Sequence, residues 1–166
     1  NEINNILANY QSTHNVSASK FIKSEFDLDI YIPTEYDIPK KEISLFIADF
    51  HKFSEKEDLI KKIIVFDFTP RSINIQTEII QKTDSILKVY ILGYNENSFV
   101  KIDKRIPVEE KDGIYRGLWK LEKGFMGGPF LMKVHYKKEK IVISIGIVFA
   151  ANQNKRNFIK TFEALL

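Results

Sequence analysis

The chain of 166 residues carries 25 Lys and Arg against 22 Asp and Glu, a formal charge of +3, with 44% hydrophobic residues and no cysteine. That length and apolar fraction suit one domain with a continuous core. The near-balance of charge excludes the dense basic surface of a nucleic-acid binder, and the lack of cysteine excludes disulfides, thiolate metal sites and a cysteine nucleophile.

No apolar run reaches the roughly 20 residues that cross a bilayer as a helix. The chain opens on Asn1, and Ile3, Ile6, Leu7 and Tyr10 already follow helical spacing. It is therefore expected to be a mature or truncated piece whose upstream segment, with any export signal, lies outside it. A first helix is predicted from about Glu2 to Gln11 and a second from Ser17 to Glu25, capped by Ser17 or Ser19. Leu28, Ile30 and Ile32 alternate with Asp29 and Tyr31 up to Pro33, the period of a half-buried strand. Ile43 to Phe50 and Ile63 to Phe68 read as central strands separated by a polar segment from Lys52 to Asp58.

The period changes after Pro70. Ile79, Ile80, Thr83, Ile86, Leu87 and Tyr90 define a helix crossing the sheet, with Gly93 placed to end it. Short strands are expected at Phe99–Ile102 and Arg105–Val108. Tyr115, Gly117, Trp119 and Leu121 share one strand face. Phe130, Met132, Val134 and Tyr136 line a face of a hairpin that turns at Lys137–Lys140 and returns through Ile141, Ile143, Ile145, Ile147 and Phe149. A last amphipathic helix, capped by Asn152 or Asn154, presents Phe158, Ile159, Phe162, Leu165 and Leu166. Strands grouped together with few helices predict an α+β fold, a mostly antiparallel sheet with a crossing helix and a C-terminal helix packed on it, over 1–166 as one domain.

The residues that could carry chemistry are few. His14, His51 and His135 fall at a helix end, a loop and a strand face, without metal-ligand spacing. The carboxylates Glu55, Glu57, Asp58 and Glu109, Glu110, Asp112 lie in segments that read as hydrated loops. The glycines Gly124, Gly127 and Gly128 match neither GxGxxG nor GxxxxGK[ST] and lead into a strand, so no phosphate cradle is expected. No catalytic residue, metal or cofactor is assigned. The distinctive stretch is Arg116, Trp119, Phe125, Met126, Gly127, Gly128, Pro129 and Phe130. Two readings of it stand: a strained turn in which Gly127 or Gly128 takes positive φ before Pro129, packed under Trp119 and Phe125, or an exposed Met-aromatic surface offered to a partner.

RGLW at Arg116–Trp119, FMGGPF at Phe125–Phe130, IVFA at Ile147–Ala150 and KRNF at Lys155–Phe158 follow DLDIYIPTEYDI at Asp27–Ile38 and IIVFDFTP at Ile63–Pro70. This order resembles a Bacteroidota lipoprotein family described as a domain of unknown function. The chain is similar to the C-terminal portion of its longer members, and departs from them at Ser98-Phe99-Val100, where relatives tend to show Ser-Tyr-Met. The resemblance implies a cell-envelope address, an outer-membrane lipoprotein held by a lipid anchor upstream of this chain, and envelope proteins as partners. It carries over no catalytic residue. The expected function is a non-enzymatic interaction or assembly component. The alternatives are a small-ligand binding module with a pocket near Trp119 and Met126, and a hydrolase whose site forms only in tertiary structure or needs the N-terminal region.

Overall fold

A computed structural model describes residues 1–166. Two helices lead in, α1 (Glu2–Ser12) and α2 (Val16–Phe26). Each is capped by an asparagine: the Asn1 side chain accepts from the Ile3 amide, and that of Asn15 from the Ala18 amide at 3.0 Å. Asn15 thus takes the role expected of Ser17 or Ser19. Ser19 instead accepts from the Ile32 amide at 3.3 Å, and the Asn15 amide donates to the Ile32 carbonyl at 2.8 Å. These bonds correct the strand predicted at Leu28–Ile32. The alternation is real, because Leu28, Ile30 and Ile32 are buried, but the segment runs as an extended strap tied to α2 and joins no ladder.

The sheet contains β1 (Asp37–Glu42), β2 (Leu45–Phe53), β3 (Asp58–Phe68), β4 (Val100–Ile102), β5 (Glu109–Lys111), β6 (Ile114–Leu121), β7 (Gly127–Tyr136) and β8 (Ile141–Ala150). Its order is β1-β2-β3-β8-β7-β6-β4, with β5 also on β6, and every pairing is antiparallel. The α+β class therefore stands. The strands differ from the expectation in several places, and β1 falls on residues where none was expected. Ile43 is exposed in the β1–β2 turn. β2 and β3 extend through Phe53 and Asp58, so the connection between them narrows to residues 54–57 of the polar Lys52–Asp58 segment. Arg105–Val108 forms no strand, because the Arg105 amide and guanidinium fold back on buried Asp103 at 2.8–3.2 Å.

Helix α3 (Ile75–Tyr90) ends at Ile91 without a left-handed glycine. Gly93 is needed for space instead: a Cβ there would lie 2.3 Å from Ser98 Oγ. The closing helix α4 (Arg156–Leu165) has Lys155 rather than the expected Asn152 or Asn154 at its N-cap, without a side-chain cap bond, and Asn154 Oδ1 accepts from the Arg156 amide just ahead of it.

Both sheet faces are covered, since β8 is apolar at odd and even positions alike. The strap, α2 and α4 pack on Phe46, Ile63, Val65, Leu131 and Val148. Helix α3 packs on Ile47, Ile64, Phe130, Met132, Ile143 and Ile145. One polar residue on the first face tests how closed it is. Ser144 is fully buried, and its Oγ lies 3.2 Å from His135 Nε2. Burial, then the charges of Lys133 and Lys137, hold the His135 imidazole down at about 4. Above the ordinary value near 6.5 the ring is neutral folded and unfolded alike. As pH falls from there to about 4 only the unfolded chain takes the proton, so stability is lost across that window. Allowing for its partial exposure, the loss is about 1–2 kcal/mol. Urea melts at pH 7 and pH 4 should show His135→Gln losing less stability than the parent by that amount; equal losses would contradict the burial assigned to the ring.

Candidate functional site

The eight singled-out residues separate once folded. Gly127, Gly128, Pro129 and Phe130 form the start of β7, paired with Lys120, Trp119, Leu118 and Gly117 of β6. Neither Gly127 nor Gly128 has positive φ; in the β6–β7 turn that conformation falls to Lys123, at φ 56°. The strained-turn expectation is corrected. What Gly128 supplies is room, because a Cβ on it would lie 2.1 Å from the Val148 carbonyl oxygen.

That carbonyl explains the local sequence. The β7–β8 ladder runs up to Phe130 opposite Ile147, so its continuation would set Pro129 against Val148. Proline has no amide hydrogen to give. The Trp119 indole N–H reaches across and donates to the Val148 oxygen at 3.1 Å, satisfying an acceptor that would otherwise be buried and orphaned. Trp119, at 5% exposure, is thus a structural donor as well as core. Arg116 points to the opposite face, where its Nη2 pairs with Glu163 Oε2 of α4 at 3.1 Å. Phe130 is buried, Met126 half-buried and Phe125 fully exposed. The Met-aromatic surface is therefore reduced to Phe125 and Met126, and the turn is not packed under Phe125 as expected.

Met126 borders a pocket. At the end of the sheet where β3, β6, β8 and the α3–β4 connection meet, a cavity of about 150 Å³ is lined by Ile91, Val100, Trp119, Leu121, Met126 and Ile147, with His51 and Lys62 on the β2–β3 side. Leu92 and Tyr94 also line it and stand largely exposed. The Lys62 ammonium lies 3.2 Å from Asp49 Oδ2 and 3.3 Å from His51 Nε2, and His51 Nε2 is 3.7 Å from the same Asp49 oxygen. Asp49 pairs with Lys62 and His51 with Ile60 across one hairpin, so the three polar groups share the face that carries Ile47 and Ile64. His51 is thus a strand residue, not the loop residue expected.

The other histidines lie elsewhere: His14 Nδ1 is 3.0 Å from the Tyr10 carbonyl, and His135 contacts Ser144. That second pair has a nucleophile and base in hydrogen-bond range, yet Ser144 has no exposed surface for a substrate to reach. Among the acidic clusters, Glu109 and Glu110 belong to β5 rather than to a loop. No three His, Asp or Glu side chains gather as a metal set.

The fold and this pocket define an antiparallel α+β domain with a small apolar cleft at one sheet end. The chain belongs to the family described as Domain of unknown function (DUF4837), whose model matches residues 15–166. No curated protein and no solved structure matches it.

Proposed function

We propose that this domain is a non-enzymatic interaction or assembly component of the cell envelope, carried by a lipoprotein, and that it docks a partner protein over the end of the sheet around Trp119 and Met126. The envelope address rests on the sequence resemblance. The docking site rests on one observation: Leu92 and Tyr94, exposed by 68% and 81%, line a recess made mostly of apolar side chains, and the fully exposed Phe125 is the chain neighbour of its lining residue Met126. Exposed apolar groups are ordinary when scattered, whereas their gathering around a recess marks an interaction surface. The size of the recess favours a protein partner over a free ligand, since sites that enclose drug-sized molecules run to roughly 300–1,000 Å³.

A photo-reactive amino acid at Tyr94, in the full-length protein in its own cells, should crosslink to one discrete envelope protein. Leu92→Glu and Phe125→Glu change exposed positions and should abolish that crosslink without lowering the melting temperature. Diffuse crosslinking, or a crosslink indifferent to both charges, would overturn the assignment.

A further inference from the structure

The pocket deepens the docking reading and rests on it. We infer that it is a socket for a single neutral aromatic group bearing one hydrogen-bond acceptor, supplied by a tyrosine side chain of the partner protein. Size comes first. A volume of about 150 Å³ matches the engineered apolar cavity that takes up a benzene molecule. It admits one ring and little else.

The buried surfaces of Ile91, Val100, Trp119 and Ile147 suit the body of such a ring. The indole N–H is already engaged by Val148, so Trp119 offers the occupant an apolar surface and no donor. The polar chemistry comes from Lys62. Its ammonium has three N–H groups; Asp49 Oδ2 and His51 Nε2 lie within reach of two, leaving a third for an acceptor oxygen. Asp49 also balances the lysine charge, so an anionic group gains little there and a neutral phenol oxygen is the complement. Tyrosine combines an apolar ring with such a tip. The exposed Leu92 and Tyr94 of the lining complete the argument, because an anchor seated in a recess is held by an apolar surround that excludes water, and a free small molecule would leave that surround uncovered.

The test uses p-cresol, toluene and p-toluate on the 166-residue chain, followed by ¹⁵N NMR with the Trp119 indole resonance as the local reporter. p-Cresol should shift that resonance and bind about tenfold more tightly than toluene, as expected for one hydrogen bond from a charged donor, with p-toluate weaker than p-cresol. Lys62→Met should bring p-cresol down to the level of toluene, while toluene binding persists as proof that the pocket is intact. Equal binding of p-cresol and toluene to the parent protein, or binding of neither, overturns the inference. In that event a discrete Tyr94 crosslink still supports docking. Conversely, p-cresol binding without any protein crosslink overturns the assignment to a partner's side chain. Where both succeed, mass spectrometry should map the crosslink beside a partner tyrosine whose replacement by alanine releases it; a site lacking tyrosine refutes that identity.

Discussion

Gly128→Ala should destabilise the protein by about 3–5 kcal/mol, combining overpacking with a buried carbonyl left without its donor. The new Cβ would lie 2.1 Å from the Val148 oxygen and 3.2 Å from Trp119 Nε1, so it displaces the indole as it strikes the backbone. Neither neighbour yields easily: Val148 is held by β3 through its pairing with Lys61, and Trp119 is buried in the second core. Urea denaturation followed by Trp119 fluorescence measures both effects, with a lower midpoint and a red-shifted native spectrum expected. Gly127→Ala is the internal comparison. Its Cβ would stand 3.0 Å from the Trp119 carbonyl oxygen and clear of Val148, so it should cost less and leave the native spectrum unchanged. Equal, small effects at both glycines would refute the close approach at Gly128.

The second large effect is expected at Gly146→Ala, about 3 kcal/mol by overpacking, or roughly 6–12 °C in melting temperature for a chain of this size. Gly146 lies in β8 under α4, and a Cβ there would sit 2.4–2.6 Å from three atoms of the fully buried Phe162 ring. The clash falls on the ring's root, so α4 must lift from the sheet. The double variant Gly146→Ala/Phe162→Ala should be more stable than the two single losses added together, because removing Cγ and both Cδ atoms of residue 162 abolishes the same contact. Strict additivity would place the strain elsewhere.

The class of fold was legible because its signals are local. The period-2 hairpin from Phe130 to Phe149 and the period-3.6 stripe from Ile79 to Tyr90 each have a single cheap solution. The strap at Leu28–Ile32 shows the limit of that logic: alternation reports which side chains are buried, while the partner of the backbone is a tertiary fact. The glycines teach the same lesson. Gly128 and Gly146 answer to the Val148 oxygen and the Phe162 ring, which are distant in sequence, so neither could be distinguished from a turn glycine by its neighbours alone. The pocket was half legible. Trp119 and Met126 were singled out, but Asp49, His51, Lys62, Leu92 and Tyr94 come from other elements. Their one advance signal is that Asp49 and His51 continue, as polar residues, the face begun by Leu45 and Ile47.

The strand order has a consequence for how the molecule comes into being. In the hydrogen-bonded sheet, β1–β3 meet the remaining strands only through β8, the last strand to be synthesised. Until residue 150 has emerged, the N-terminal meander ends on the open edge of β3, and residues 59–68 must wait for residues 141–150 to close it. Such distant pairing places the entropic cost of a long loop before its reward, the circumstance that slows folding and prolongs exposure of apolar edges. The sheet therefore stays unclosed until β8 has been made, and its central seam is the last pairing of this domain to become possible.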